Sequence, residues 1–205
     1  MKSIITISRE FGSGGHEIGK RLAQELDIPF YDKELLDRAA KNSGICKELF
    51  ESHDENSSGS FLFSLVMGDY SLDSNGMLNT QMPLNHQLFL AQFESIKKIA
   101  DEGPCVIVGR CADYVLEDYD NVINFFVMAD MTDKKKRICS RYDIEKNKVE
   151  DFIKKTDKRR ANYYNYYTDK KWGTARNYDL CINSSKIGID NSVELMKTYI
   201  DIKER

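Results

Sequence analysis

The 205-residue chain has little of what marks several special classes of protein. It has three prolines and no glycine repeat, which excludes collagen-like and low-complexity chains. No apolar run approaches the roughly 20 residues that a membrane span needs, and we expect no secretory signal, because the first apolar run is too short. With 30 basic and 33 acidic side chains the formal charge is −3, which excludes a protein that coats nucleic acid by bulk charge.

Cysteines are few as well, and they are scattered. The five cysteines form no CxxC pair, so neither a zinc site nor a disulfide framework is favoured. We therefore expect free thiols and a cytoplasmic protein, since the cytoplasm is the reducing compartment.

What the chain does contain is an alternation of apolar runs with helical patterns. Apolar runs without a polar alternation are typical of parallel strands that are covered on both faces. Between them, apolar residues recur at three- and four-residue spacing, as in amphipathic helices. This order predicts an α/β fold of three layers with about five parallel strands. The candidate strands are Ser3–Ser8, Ile28–Tyr31, Cys105–Val108, Val122–Ala129 and Asp179–Asn183.

Two segments differ from the rest in charge. Residues 45–95 hold seven acids and one basic residue, a balance of −6, and within them 46–81 has no sustained period. Residues 134–160 hold 12 basic and five acidic residues, a balance of +7. A solvated helix face is the ordinary explanation of such a basic run. Its role therefore depends on what else the chain contains.

The strongest local signal is a glycine-rich turn between the first predicted strand and the first predicted helix. The turn consists of Gly12, Ser13, Gly14 and Gly15. Consecutive glycines let the backbone present N–H groups to an anion, and the dipole of the following helix adds attraction. The dinucleotide pattern GxGxxG is not met, because Glu17 stands at its last glycine. A Walker register that ends at Lys20 is rejected, since the apolar stripe places that residue inside the helix.

With this turn at its start, the chain resembles the cytidylate kinase-like branch of the nucleoside monophosphate kinases, within the P-loop NTPase fold. The family's opening pattern, GPSGAGKGT and then LLDSGAIYR, falls without gaps on residues 5–38. The resemblance implies that Asp32 and Arg38 lie on the acceptor side and that Arg38 contacts the acceptor phosphate. CVIVGRCADYVL is similar to the family's ADGRDMGTVVF, which puts Arg110 on its motif arginine. The family's next residue, an Asp, is Cys111 here, and Asp113 is the substitute.

The basic segment resembles the family's arginine-rich lid, since KTDKRRANYY is similar to ERDRRDRNR. The resemblance implies that Lys158 and Arg159 close over the transferring phosphoryl group, with Arg110 as a third catalytic cation. Arg137 and Arg141 are expected beside the donor phosphates. The implied organisation is a single domain, 1–205, whose core is 1–44 and 101–205, with an acidic helical insertion over 45–100 on the acceptor side and a lid over 143–170.

The P-loop lysine and hydroxyl of the family are absent. The ungapped register puts Gly15 at the lysine position, and a shift of one residue puts His16 there and Glu17 at the position of the Mg²⁺-ligating hydroxyl. We expect His16 to contact the donor phosphates and Glu17 to contact them or the metal. The alternative is an ordinary first helical turn, in which Glu17 lies near the positive end of the dipole.

The resemblance implies phosphoryl transfer from ATP with Mg²⁺ to a nucleoside monophosphate or a similar small acceptor, without a membrane or nucleic-acid partner. The missing lysine favours an alternative from another class, a nucleotide-binding regulatory protein whose catalysis is weak or lost. A third hypothesis is RNA binding by the basic, tyrosine-rich segment. Helical spacing disfavours it, because it makes Tyr163 and Tyr167 packing residues.

Overall fold

The computed structural model describes residues 2–53 and 84–205. Within them, five strands form one sheet in which every pair of neighbours is parallel. The strands are β1 (Ile4–Arg9), β2 (Phe30–Tyr31), β3 (Val106–Val108), β4 (Val122–Met128) and β5 (Leu180–Asn183). Each coincides with a predicted apolar run. The predicted fold class is confirmed.

Eight helices accompany the sheet in the described ranges. They are α1 (Gly15–Glu25), α2 (Lys33–Ser43), α3 (Lys47–His53), α4 (Leu84–Glu102), α5 (Ala112–Val115), α6 (Met131–Arg141), α7 (Val149–Thr168) and α8 (Ser184–Lys203). Among them, none combines the length and the apolar character that crossing a membrane requires. Of the segment predicted to lack a period, 46–81, residues 54–81 lie outside the described ranges.

The order of the strands opens a crevice beside β1. Across the sheet the order is β2, β3, β1, β4, β5, so the chain moves to one side of β1 for two strands and to the other side for the last two. Ile5 is paired with Val106 on one side and with Ile123 on the other. Where the direction of winding reverses in such a sheet, ligands bind outside the carboxyl ends of the strands.

Both faces of the sheet are covered, which makes it a fixed platform for the residues that follow each strand. On one face Ile5 and Ile7 pack with apolar residues of α1 and α8, among them Leu22 and Met196. On the other face Ile4 packs with apolar residues of α2 and α4. The continuous apolar character of the strands follows from this double burial.

The basic segment, 134–160, extends from α6 into α7, and α7 is anchored at both ends. Near its start, Ile153 packs in a cluster with Ile138 of α6 and with Phe11 of the glycine-rich turn. Near its end, Tyr163 and Tyr164 belong to an aromatic cluster that includes residues of α4. The segment predicted as a lid therefore lies across the carboxyl edge of the sheet.

Candidate functional site

An open cleft of about 340 Å³ lies at the carboxyl edge of the sheet. It is bounded by the turn between β1 and α1, by the residues that follow β2 and β3, and by α6 and α7. Its walls carry six basic and two acidic side chains. These are Arg9, Lys33, Arg110, Arg137, Arg141, Arg160, Glu10 and Asp32. Such an excess of positive charge in a concave site attracts polyanions.

The glycine-rich turn forms the floor of this cleft, as the sequence predicts. Gly12 and Gly14 have φ of 78° and 87°, in the left-handed region that favours glycine. A Cβ on Gly12 would lie 3.1 Å from the backbone oxygen of Lys134, so α6 approaches this turn too closely for a side chain. Gly14 is the N-cap of α1, and the first amides of that helix have no partner within it.

Ser13, predicted to contact the donor phosphates together with the glycines of the turn, makes structural hydrogen bonds instead. It is fully buried, and its hydroxyl donates to the Glu10 carbonyl at 2.8 Å. Its own carbonyl accepts from the Ser184 hydroxyl at 2.6 Å, at the start of α8. These two hydrogen bonds of Ser13 stabilise the turn. The residues of the turn that line the cleft are Gly12, Gly14, Gly15 and His16.

Asp32 and Arg110, predicted on the acceptor side, meet in one wall of the cleft. Arg110 Nη1 lies 2.5 Å from Asp32 Oδ1 and donates to the Val108 carbonyl at 2.9 Å. His16 Nε2 lies 3.3 Å from Asp32 Oδ2. Burial raises the pKa of the Asp32 carboxyl, but the charges of Arg110 and Arg9 outweigh it and the pKa lies below its usual value. Burial also lowers the pKa of His16, so at pH 7 a carboxylate faces a neutral imidazole.

The backbone that presents Arg110 is strained. Gly109, Arg110 and Cys111 have φ of 76°, 53° and 56°, three left-handed residues in succession. The left-handed conformation costs a non-glycine residue roughly 1–2 kcal/mol. This turn directs Arg110 back towards the end of β3, while Cys111 enters the aromatic cluster beside α7.

Arg137 and Arg141, predicted beside the donor phosphates, both line the cleft from α6. Arg137 Nη1 donates to the Gly12 carbonyl at 3.1 Å, which ties α6 to the glycine-rich turn. Arg141 Nη2 lies 3.1 Å from the Glu17 carboxylate, whose other oxygen is 2.7 Å from Arg21.

The assignment of a metal to Glu17 is not supported by this arrangement. Glu17 does not line the cleft, and its carboxylate is paired with Arg21 and Arg141. In the part of the chain that the structure describes, no three His, Cys, Asp or Glu side chains are grouped so that they could hold a metal ion. The carboxylates that do line the cleft are those of Glu10 and Asp32.

A buried lysine that was not among the predicted site residues, Lys134, connects α6 with α7 and with Glu10, which follows β1. Lys134 of α6 is 4% exposed, and its Nζ lies 2.6 Å from Asp157 of α7 and 3.2 Å from Glu10. The other oxygen of Asp157 accepts the backbone N–H of Phe11 at 2.6 Å. This cluster of Glu10, Lys134 and Asp157 therefore fixes α7 on the glycine-rich turn.

The structure does not bring the predicted catalytic residues Lys158 and Arg159 into the cleft. Both are exposed, and the cation that α7 directs into the cleft is Arg160. Arg160 Nη1 donates to the Arg9 carbonyl at 3.2 Å, and its guanidinium lies 5.5 Å from the centre of the Phe11 ring. The resemblance to the family's lid predicts the helix that reaches the cleft but not the residue that enters it. Adjacent residues of a helix point about 100° apart, so Arg159 and Arg160 lie on different sides of α7.

Arg38 also lies outside the cleft, contrary to its predicted contact with an acceptor phosphate. The helix α2 leaves the cleft at Asp32 and runs back along the sheet, which places Arg38 about 9 Å further along the helix axis. There Arg38 Nη1 lies 2.6 and 2.7 Å from the two carboxylate oxygens of Glu102, and Nη2 donates to Tyr31 Oη at 3.1 Å. It forms a surface ion pair at the end of α4.

Asp113 is buried beneath the cleft and does not line it. Its carboxylate accepts the Tyr164 hydroxyl at 2.6 Å, which joins α5 to α7. The predicted contact with the acceptor is therefore not supported. Burial raises the pKa of the Asp113 carboxyl above its usual range.

Because its pKa is raised, the ionised carboxylate of Asp113 should destabilise the folded protein, and this effect should depend on pH. The folded protein binds the proton of Asp113 more tightly than the unfolded chain does, so its contribution to stability declines as the pH rises above about 4. We expect the stability of Asp113→Asn, measured relative to the wild type, to be higher at pH 7.5 than at pH 4.5. The increase should be about 1.4 kcal/mol for each unit by which the pKa of Asp113 is displaced. Urea unfolding at both pH values measures this, with exposed Asp118→Asn as the control. An unchanged difference between the two pH values would contradict the assignment.

Comparison with known proteins places this geometry in a family. An uncharacterized protein from Eubacterium ventriosum ATCC 27560 is 33% identical, with a TM-score of 0.73, over 98% of this chain and 99% of that one. A shikimate kinase from Bacteroides thetaiotaomicron shares the fold at 14% identity (TM-score 0.57; 98% and 99% covered). So does a shikimate kinase from Acinetobacter baumannii in complex with shikimate, at 12% identity (TM-score 0.55; 99% and 95% covered). Comparison with curated proteins gives no match.

The family model is the most informative of these comparisons, because it covers most of the chain. The model of the cytidylate kinase-like family matches residues 4–186, from the start of β1 into α8. This range includes every residue that lines the cleft. The chain therefore belongs to the cytidylate kinase-like family, with the fold of the P-loop kinases.

Proposed function

We propose that the protein transfers a phosphoryl group from ATP to a nucleoside monophosphate or a similar small acceptor. One observation carries the proposal: a glycine-rich turn, the start of α1 and arginines from β1, β3, α6 and α7 converge on one cleft. Phosphoryl transfer needs mainly two reactants held in line and a site that neutralises the charge on the moving group. Positioning and positive charge are what this cleft provides.

The turn and α6 form the donor side. Backbone N–H groups at the start of α1 would bind the donor phosphates together with the helix dipole. Arg137 and Arg141 flank the same turn and would neutralise those phosphates. The left-handed backbone at Gly12 and Gly14 lets the turn curve and present its N–H groups to an anion.

The cleft also fits a Mg²⁺ ion that accompanies the nucleotide. Mg²⁺ usually keeps several waters and is held by substrate phosphates with one or two carboxylates. Asp32 and Glu10 are the carboxylates of the cleft, and Asp32 remains ionised at neutral pH because Arg110 and Arg9 lower its pKa. When bound, the metal would neutralise part of the phosphate charge. We propose Asp32 as its ligand in place of Glu17.

The wall opposite α6 would receive the acceptor. It contains Lys33, His16 and the pair of Asp32 and Arg110. Lys33 and Arg110 would attract an acceptor phosphate, and Asp32 keeps the guanidinium in one orientation. An orienting pair of this kind limits the geometry in which the acceptor can bind, which favours transfer over hydrolysis.

The cation that covers the transferring group would be Arg160, because α7 directs it into the cleft. Anchored on Arg9 and Phe11, it approaches from the side opposite the sheet. We propose a cytoplasmic location, since the five cysteines are free thiols and the cytoplasm is the reducing compartment.

A direct test is ADP release by the purified protein with ATP, Mg²⁺ and a panel of nucleoside monophosphates. We expect ADP release only in reactions that contain an acceptor, because an acceptor is needed to complete the site. The reaction without acceptor is the control. ATP binding without turnover on any acceptor would overturn the kinase proposal and support the regulatory alternative.

The assignment of Arg160 predicts a contrast between two adjacent arginines of α7. We expect Arg160→Gln to lower kcat by about 10²-fold, the usual effect of removing one group that stabilises charge in the transition state. Arg159→Gln is the matched control. It is exposed outside the cleft and should change kcat less than twofold. Equal losses in the two variants would show that α7 acts through its overall charge.

A further inference from the structure

We infer that Arg9 takes the place of the missing P-loop lysine and delivers its positive charge to the donor phosphates from the end of β1. The inference rests on the proposed function, because it concerns the donor side of the same cleft. In P-loop kinases the lysine stands in the first turn of the helix that follows the glycine-rich turn. Here that turn contains Gly15 and His16, and neither can supply an ammonium group.

The space that a side chain at position 15 would need is occupied by Arg9. A Cβ on Gly15 would lie 2.6 Å from Arg9 Cβ, 3.1 Å from Arg9 Cγ and 3.3 Å from Val127 Cβ. Gly15 does not have a positive φ, so its conformation would accept other residues. Glycine is therefore required at position 15 by the neighbouring Arg9 stem.

Strand geometry explains why Arg9 lies there. Successive side chains of a strand point to opposite faces of the sheet, and Ile5 and Ile7 pack on the face that α1 covers. Arg9 continues that row at the last position of β1. Its stem thus passes beneath the first turn of α1, where the side chain of a lysine at position 15 would begin.

Arg9 is held in this place while it lines the cleft. The residue is 9% exposed, and its carbonyl accepts from Arg160. Arg9 lines the cleft together with Asp32, His16 and Arg160. An arginine stays charged when its stem is buried, and its planar fork can bind two phosphate oxygens at once.

His16, the other residue at the lysine position, is less suited to that function. Its side chain is 50% exposed, and an imidazole cannot supply the ammonium group of a lysine. Its nearest charged partner is Asp32, at 3.3 Å. It lies on the acceptor wall of the cleft.

The test is an exchange of the cation between positions 9 and 15. We expect Arg9→Met, which keeps a long apolar stem, to weaken ATP binding and to lower kcat by about 10²-fold. Gly15→Lys alone should fail in the same way, because the new stem meets that of Arg9. The double variant Arg9→Gly with Gly15→Lys removes the obstructing Cβ and returns the charge. It should recover at least tenfold of the lost affinity, whereas Arg9→Gly with Gly15→Met should recover none.

Affinity for ATP with Mg²⁺, measured by calorimetry, is the primary readout, and thermal unfolding verifies that each variant is folded. Rescue by lysine and not by methionine supports the inference. Equal recovery by both, no recovery by lysine, or an Arg9→Met variant within twofold of the wild type overturns it. If the wild type itself neither binds nor turns over ATP, the proposed function fails, and that result is distinct from a failure of Arg9 alone.

Discussion

Lys134→Met should lower the free energy of unfolding by about 3–5 kcal/mol, the usual cost of removing one partner from a buried charge cluster. The variant leaves the carboxylates of Glu10 and Asp157 facing each other without the ammonium that separates them. The lysine side chain is only 5% exposed, so its ammonium is neutralised by these carboxylates and not by bulk water. In a chain of this size the midpoint of thermal unfolding should fall by about 10 °C.

Lys135 provides the matched control for this experiment. It is the next residue of α6, and it pairs with Glu150 at a site where both side chains are more than a third exposed. Lys135→Met should change stability by less than about 0.5 kcal/mol. Urea unfolding of both variants measures the contrast. If the two changes cost the same, then the cluster does not fix α7 on the glycine-rich turn.

Arg110→Met is the second change for which we expect a large effect, again about 3–5 kcal/mol at neutral pH. It leaves the Asp32 carboxylate, 11% exposed, without its closest cation. Adding Asp32→Asn should restore much of the stability, because it removes the unpaired charge. Arg38→Met is the control, since its exposed pair with Glu102 is worth about 0–1 kcal/mol.

The effect of Arg110→Met should also depend on pH, with a definite sign. In the wild type the pKa of Asp32 is lowered, so its contribution to stability is complete above the unfolded pKa and disappears as the pH falls through the folded value. Without Arg110, burial should raise the pKa of Asp32, and its ionised carboxylate should then destabilise the folded protein. The two proteins should therefore differ most near pH 7 and least near pH 3. A difference that does not change with pH would contradict the pairing.

The strands and the glycine-rich turn could be predicted because their signals are local. A parallel strand covered on both faces is apolar at consecutive positions. The turn follows such a strand, which ends at Ser8 in the prediction and at Arg9 in the structure. Arg137 and Arg141 line the cleft because they lie on the side of α6 that packs on that turn, and their contact with donor phosphates stays a prediction.

The missed residues depend on contacts between distant parts of the chain. Lys134 pairs with Glu10, 124 residues away, and with Asp157, 23 residues away, so no local spacing reveals the cluster. Arg9 was included in neither the predicted strand, Ser3–Ser8, nor the glycine-rich turn. The inner face of α7 could have been found, because Ile153, Asp157 and Arg160 recur at helical spacing.

Donor phosphates should bind in this cleft without a P-loop lysine. A crystal structure of the wild-type protein with Mg²⁺ and an ATP analogue that cannot be hydrolysed tests this. We expect the phosphates to lie on the turn of Gly12, Gly14 and Gly15, with Arg9 nitrogens about 3 Å from phosphate oxygens. A nucleotide bound outside the cleft, or phosphates held there by His16 while Arg9 contacts only Asp32, would contradict it.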